Sequence, residues 1–372
     1  MHVIPFAIAI PDADLADLRA RLRRTRWPDE VNDADWAWGT RADVLHDLVS
    51  YWADGFDWRA QEAALNRLPQ FRAEVDGLGI HFVHVRGGGA NPRPLLVTHG
   101  WPGSFIEMRG IIPLLAEGFD LVIPSLPGYG FSDRPVAAGM SPAAIAALWV
   151  KLMQGLGYAR FGLQGGNWGA AVSASLAINH PEVVTGVHLN FLSGSFAPAP
   201  DASEAELAYF AARSAWLDAE GGYSHIQGTK PQTLAYGLTD SPAGLAGWIL
   251  EKFRRWSDCD GDPVRLFGRD DLLTNIAIYW FTGTIASSTR LYKEARLAPL
   301  RFAVGQKVVP PLGFASFPRE IPHPPRDLLA RHFDLRRWTA MPRGGHFAAM
   351  EQPALLAEDV RAFFDGVGSG HG

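Results

Sequence analysis

The chain has 372 residues, 47% hydrophobic and 20% charged, which excludes disorder and suits one large domain with an inserted or appended second one. Its 34 basic and 39 acidic residues give a net charge of −5, which argues against a dedicated binder of nucleic acid or anionic membrane. The single cysteine, Cys259, excludes an intrachain disulfide and any cysteine-built zinc or iron–sulfur site. Residues 3–10 form an apolar run, but Pro5 breaks it and it has neither a basic leader nor a small-residue cleavage site, so it does not read as a signal peptide. No stretch reaches the roughly 18 apolar residues of a membrane span. A soluble, cytoplasmic protein is expected.

In chain order, Asp12 can cap a helix in which Leu15, Leu18 and Leu22 share one face. A second helix is expected from Thr40, with Asp43 in a capping-box-like pair and Val44, Leu45, Leu48 and Trp52 turned inward. A third runs from Asp57 to about Leu68, stopped by Pro69. Alternating runs at 71–75 and 80–85, separated by Asp76-Gly77, fit a hairpin. From Arg93 the texture changes. Short apolar runs at 94–98, 121–125, 160–164 and 184–190 fit buried strands, with helices at 141–156 and 169–179 between them. That alternation implies a mostly parallel sheet. It stops near Phe191. Residues 195 to about 298 are helical and aromatic, with no clear strand, and read as a cap inserted into an α/β core. Strand character returns at 301–304 and 334–341, and a helix follows Pro353. The glycine-rich stretches 87–89 and 366–372 read as a loop and a frayed tail. The expected division is 1–92 as an N-terminal extension packed on core and cap, 93–194 and 299–372 as core, and 195–298 as cap.

The sharpest local signal is Leu163-Gln164-Gly165-Gly166-Asn167-Trp168-Gly169-Ala170, which follows a strand and opens a helix. Glycines at −2, −1 and +2 around Asn167 have the spacing of a nucleophile elbow, in which a tight turn projects one side chain at a helix N-terminus. A phosphate cradle fits worse, because the order is not G-x-G-x-x-G. A packing turn without chemistry is the bland alternative. His99-Gly100-Trp101-Pro102-Gly103-Ser104-Phe105, directly after a strand, fits the loop that faces an elbow. Trp101 and Trp168 would then supply two backbone N–H donors as an oxyanion hole. Gly344-Gly345-His346-Phe347 lies late in the chain, where a catalytic base comes in the order nucleophile, acid, base.

Together these residues resemble the epoxide hydrolases of the microsomal type, within the α/β-hydrolase fold, over nearly the whole chain. The N-terminal helices are similar to that family's extension. His99-Gly100-Trp101-Pro102 is similar to its oxyanion loop, and the run 125–132 to its loop after a central strand. The resemblance implies that Glu320 orients His346 and that Tyr223 and Tyr292, in the cap, donate to the epoxide oxygen. It implies hydrolysis of a small apolar epoxide to a vicinal diol without cofactor, by way of an ester on the elbow residue. Some aromatics should wall the pocket, with Phe105 and Trp280 as candidates. A homodimer is left open. With a first helix expected about eleven residues in, no membrane anchor like that of the family's eukaryotic members is expected ahead of it.

One departure outweighs the matches: the family carries aspartate at the elbow and this chain carries Asn167. A neutral amide is far less nucleophilic, and loss of a nucleophile costs roughly 10³–10⁶ in rate. Asn167 fits a shape-preserving substitution that disables the enzyme, a homologue that binds without turnover, or a route in which His346 activates water directly. A haloalkane dehalogenase is the nearest enzymatic rival, but it needs neither the two tyrosines nor the N-terminal helices. A serine esterase lacks its serine. Asp258, Asp260 and Asp262 superficially suggest a calcium loop, but Pro263 and the early Gly261 spoil it, and Cys259 there should be an ordinary exposed thiol. His81 and His84 point to opposite faces of one strand, so no metal site is expected.

Overall fold

The computed structural model describes residues 1–31 and 35–368. Its strands are β1 (Val3–Pro5), β2 (Gln70–Val75), β3 (Leu78–Val85), β4 (Arg93–Thr98), β5 (Phe119–Pro124), β6 (Phe161–Gly165), β7 (Val184–Leu189), β8 (Ser195–Phe196), β9 (Arg301–Phe302), β10 (Val308–Ser316) and β11 (Phe333–Ala340). Among the described residues, nine of them form one sheet in the order β1-β2-β3-β5-β4-β6-β7-β10-β11. The run from β5 to β11 is parallel, and β1, β2 and β3 add to its edge antiparallel. Strands such as β5 are buried along their whole length, as a sheet covered on both faces requires.

The chain leaves β4 toward β5 on one side and returns to β6 on the other. β4 and β6 therefore lie side by side at the point where strand order reverses, with Thr98 opposite Gly165. Crevices at the carboxyl ends of such strands are where open α/β sheets bind ligands. The loops after β4, β6, β7, β10 and β11 all emerge at that end.

Several local expectations need correction. Asp12 is the first residue of helix Asp12–Arg23 rather than its cap, which is Pro11; its carboxylate pairs with Arg59 instead. The second helix starts at Ala42, and Thr40 does not cap it but donates to Gly247 O at 2.7 Å, tying the extension to the cap. The third, Trp58–Leu65, ends earlier than expected and is capped by Asp57. The hairpin holds, with Asp76 and Gly77 both at positive φ. β8 pairs with β9, so the cap segment opens on a short strand. β10 was not anticipated, because Pro310, Pro311 and Gly313 hide it; the sheet absorbs the prolines at an irregularity between Val308 and Pro311. The final helix, Pro353–Gly368, includes Gly366, and the end of the expected tail, 369–372, lies outside the described residues.

The helices Asp12–Arg23 and Ala42–Asp54 pack on the cap helix Pro242–Trp256. Arg21 pairs with Asp240, Arg269 with Asp47, and Tyr51 Oη donates to Asp270. No helix among the described residues is long and apolar enough to cross a membrane.

Candidate active site

β6 ends at Gly165, and helix Asn167–Asn179 starts two residues on, so the chain reverses within Gly166. Asn167 sits at φ +48°, a left-handed conformation that asparagine tolerates better than most side chains. A Cβ on Gly169 would lie 1.8 Å from Thr98 O, so the helix can cross β4 this closely only without a side chain there.

The Asn167 side chain is engaged from three directions. Its Oδ1 accepts from the Trp101 N–H at 2.9 Å and from the Trp168 N–H at 2.7 Å. Its Nδ2 lies 2.7 Å from His346 Nε2, and His346 Nδ1 lies 2.6 Å from Glu320 Oε1. Nδ2 can only donate, which makes Nε2 the acceptor and puts the imidazole proton on Nδ1, facing the carboxylate. Glu320 also accepts from the Ile321 N–H at 2.7 Å, and the side chains of His346 and Glu320 are almost wholly shielded from solvent.

The cap closes over this row. Tyr223, on helix Gly222–Thr229, stacks on Trp101 with centroids 5.5 Å apart, and Tyr292, on helix Ile285–Leu297, meets Trp168 edge-on at 4.7 Å. The two tyrosine rings are 5.7 Å apart. Burial raises the proton affinity of both phenols, with a hydrogen-bonding interaction with Tyr292 pulling Tyr223 slightly back. Both therefore remain protonated donors at neutral pH. Phe105 does not join them: it packs edge-on to His81 and near Phe131, under the loop, because its ring completes the core there. Trp280 stands beneath Arg21 in an open groove of about 600 Å³ between the extension and the cap.

Other residues hold the row in place, and sequence reading had no signal for their roles. Asn275 Nδ2 donates to Pro102 O at 2.7 Å, Ser104 Oγ donates to Asn275 Oδ1, and Tyr279 Oη donates to Gly103 O at 2.6 Å. His99 bridges two loops: Nε2 accepts from the Leu126 N–H at 3.1 Å, leaving Nδ1 to donate to Gly100 O. Burial pulls its imidazole down to about 4, so it stays neutral. Glu351 accepts from the N–H groups of Gly345 and Phe347, on either side of His346, and from that of Asp258. Burial pushes its carboxyl up to about 7 against those three donors. Lys252 is buried on the cap helix, paired with Glu251, with Nζ 4.6 Å over the Tyr223 ring.

Cys259 also departs from expectation. Its thiol is buried and donates to Arg254 O, because the acidic turn folds inward to meet the histidine loop, where Asp258 accepts from the Gly344 N–H. Among the described residues no group of three or more His, Cys, Asp or Glu is arranged to hold a metal ion.

Beside the elbow lies a small cavity, with about 10 Å³ open to the centre of a water molecule, lined in part by Asn167, His346, Gln164, Asn190, Gly166 and Glu107. Burial pushes the Glu107 carboxyl up to about 8, with the Gly100 N–H pulling the other way.

Comparison with known proteins bears on this arrangement. A family model described as the epoxide hydrolase N terminus matches residues 3–108, and one for the alpha/beta hydrolase fold matches residues 93–220. Epoxide hydrolase 1 of Sus scrofa is 40% identical over 96% of this chain and 88% of its own length. The crystal structure of juvenile hormone epoxide hydrolase from Bombyx mori superposes with a TM-score of 0.89 at 30% identity, covering 99% of this chain and 95% of that one. The Aspergillus niger epoxide hydrolase structure gives a TM-score of 0.88 at 30% identity, covering 99% and 97%.

Proposed function

The chain belongs to the epoxide hydrolases of the α/β-hydrolase fold, and from that premise we propose that position 167 is its alkylation site and that the asparagine there leaves the covalent step impaired. In this reading Tyr223 and Tyr292 donate to the epoxide oxygen as it becomes an alkoxide. Hydrogen bonds that strengthen in the transition state lower the barrier, and protonated phenols in a dry site suit that task. A carboxylate at 167 would attack the ring carbon as the ring C–O bond breaks to the alkoxide that the tyrosines protonate, and the resulting ester carbonyl would rest on the N–H groups of Trp101 and Trp168. His346, oriented by Glu320, then takes a proton from water, which attacks that carbonyl and releases the diol.

The observation that carries this reading is the triple engagement of Asn167. Its oxygen already lies on both backbone donors, and its other terminal atom faces the imidazole. A carboxylate in the same place would have one oxygen held and one free to attack. The amide puts a neutral nitrogen, already donating to His346, where that second oxygen belongs. Its electron pair is delocalised into the carbonyl, so alkylation falls by roughly 10³–10⁶.

Asn167→Asp tests the reading. It should raise conversion of apolar epoxides to vicinal diols by at least about a thousandfold over chains that still carry the amide at 167. The gain should vanish when His346 or both tyrosines are also replaced. A single turnover in heavy-oxygen water should place the label in the carboxylate at 167 and leave the diol unlabelled. Label entering the diol directly, or an inactive Asn167→Asp across a broad epoxide panel, would sink the covalent reading; the second result would favour a ligand-binding role.

A further inference from the structure

We propose that this chain hydrolyses its own Asn167 side chain, converting the amide to the carboxylate that alkylation needs. The inference rests on the reading above, that residue 167 carries the acyl group which His346-activated water cleaves. The machinery for ester hydrolysis acts on the side-chain carbonyl of residue 167, and an amide there presents the same carbonyl in the same place.

Each requirement of amide hydrolysis has a named group. The carbonyl must be polarised, and Oδ1 takes two N–H bonds, at 2.9 and 2.7 Å, from Trp101 and Trp168. As the carbon becomes tetrahedral, that oxygen gains negative charge facing both donors. A base must deprotonate water, and His346 is neutral at Nε2 with its Nδ1 proton directed at Glu320, which stabilises the imidazolium that forms. The leaving nitrogen must be protonated, since an amide ion does not leave; Nδ2 is the atom that lies 2.7 Å from His346 Nε2. One imidazole thus serves as base toward water and then as acid toward nitrogen.

Water has a place to stand. The cavity of about 10 Å³ beside the elbow is bordered by both Asn167 and His346, and its size suits one water molecule. Its wall is mixed: Gln164, Asn190 and Glu107 offer polar groups beside apolar Met108, Phe347 and Leu356, and Gln164 Oε1 is buried without a protein hydrogen-bond partner. The step balances without a further reactant. Water oxygen bonds to Cγ and gives one proton to Nε2; the Cγ–Nδ2 bond breaks as Nε2 passes that proton to nitrogen; ammonia departs and the new carboxyl ionises.

The spontaneous alternative leaves a different mark. In it the Trp168 backbone nitrogen attacks Cγ, and the cyclic imide opens to a mixture containing β-linked isoaspartate. Direct attack by water yields only the normal linkage.

The full chain, incubated at neutral pH and followed by intact and peptide mass spectrometry, should gain about one mass unit at residue 167. In heavy-oxygen water the product should carry one labelled oxygen and no isoaspartate. His346→Gln should slow the gain by at least about a hundredfold, and Glu320→Gln should slow it in a second, independent variant. Epoxide turnover should rise in step with the converted fraction. An active Asn167→Asp alongside an Asn167 chain whose mass never changes would overturn the self-hydrolysis and leave the proposed function standing. Equal conversion in folded His346→Gln, or isoaspartate as a main product, would also overturn it. An inactive Asn167→Asp would instead remove the reading on which it rests.

Discussion

Glu351 shows how much of the site is built by residues that touch no reacting atom. Three backbone N–H groups converge on its carboxylate, two of them flanking His346. Replacing it by alanine leaves those donors buried and unpaired, which costs about 2–4 kcal/mol of stability. Glu351→Ala should therefore lower the thermal midpoint. In the Asn167→Asp background it should also lower the turnover number more than tenfold, because the imidazole loses its fixed place relative to residue 167. Steady-state kinetics with an apolar epoxide beside a thermal melt checks both. Unchanged turnover would show that the loop holds His346 without this clamp.

The cap helix Arg269–Thr282 grips the oxyanion loop through Asn275 and Tyr279, which meet three successive residues of it, Pro102, Gly103 and Ser104. The position of the Trp101 N–H thus depends on a helix far away in sequence. Asn275→Ala strands the Pro102 carbonyl and the Ser104 hydroxyl in a dry interior, at about 1–3 kcal/mol for each. In the Asn167→Asp background the rate of ester formation, read by single-turnover quench, should fall by about tenfold or more, with a matching drop in thermal midpoint. A drop in stability with an intact rate would confine Asn275 to packing.

For the molecule as a whole, buried titratable groups set opposite limits on stability with pH. Burial pulls His81 down to about 3 and His99 to about 4, so each stays neutral while an unfolded histidine takes up a proton below about 6.5. Their contribution is present above that pH and is lost as pH falls toward 4. Burial pushes Glu107 up to about 8 and Glu351 to about 7. Here the fold keeps a proton that the unfolded chain releases near 4.5, so the contribution is present at low pH and is lost as pH rises through 7 and 8. The thermal midpoint should trace a dome, and Glu107→Gln, which keeps the shape of the protonated acid, should flatten its alkaline side. An unaltered alkaline slope in that variant would place the proton elsewhere.

The elements that sequence reading placed well are those whose cause is local. Glycines at fixed offsets around Asn167 force the turn, short apolar runs alternating with helical stretches imply the parallel sheet, and the Asp76-Gly77 pair closes the hairpin. Asn167 and His346 are legible in their glycine flanks, Glu320 only through the family resemblance, and the structure brings all three into one hydrogen-bonded row. Distant partners were not readable. β10 runs through two prolines because β7 and β11 hold it on either side, overriding a local preference against a strand. Cys259 is buried although its neighbours are acidic, because the turn docks on the histidine loop. Asn275 meets Pro102 across 173 positions, and Glu107 is raised by burial that no local pattern reveals. Spacing along a chain fixes which backbone turns it can make. Burial, proton affinity and the engagement of Asn167 arise only when segments far apart in sequence exclude water together.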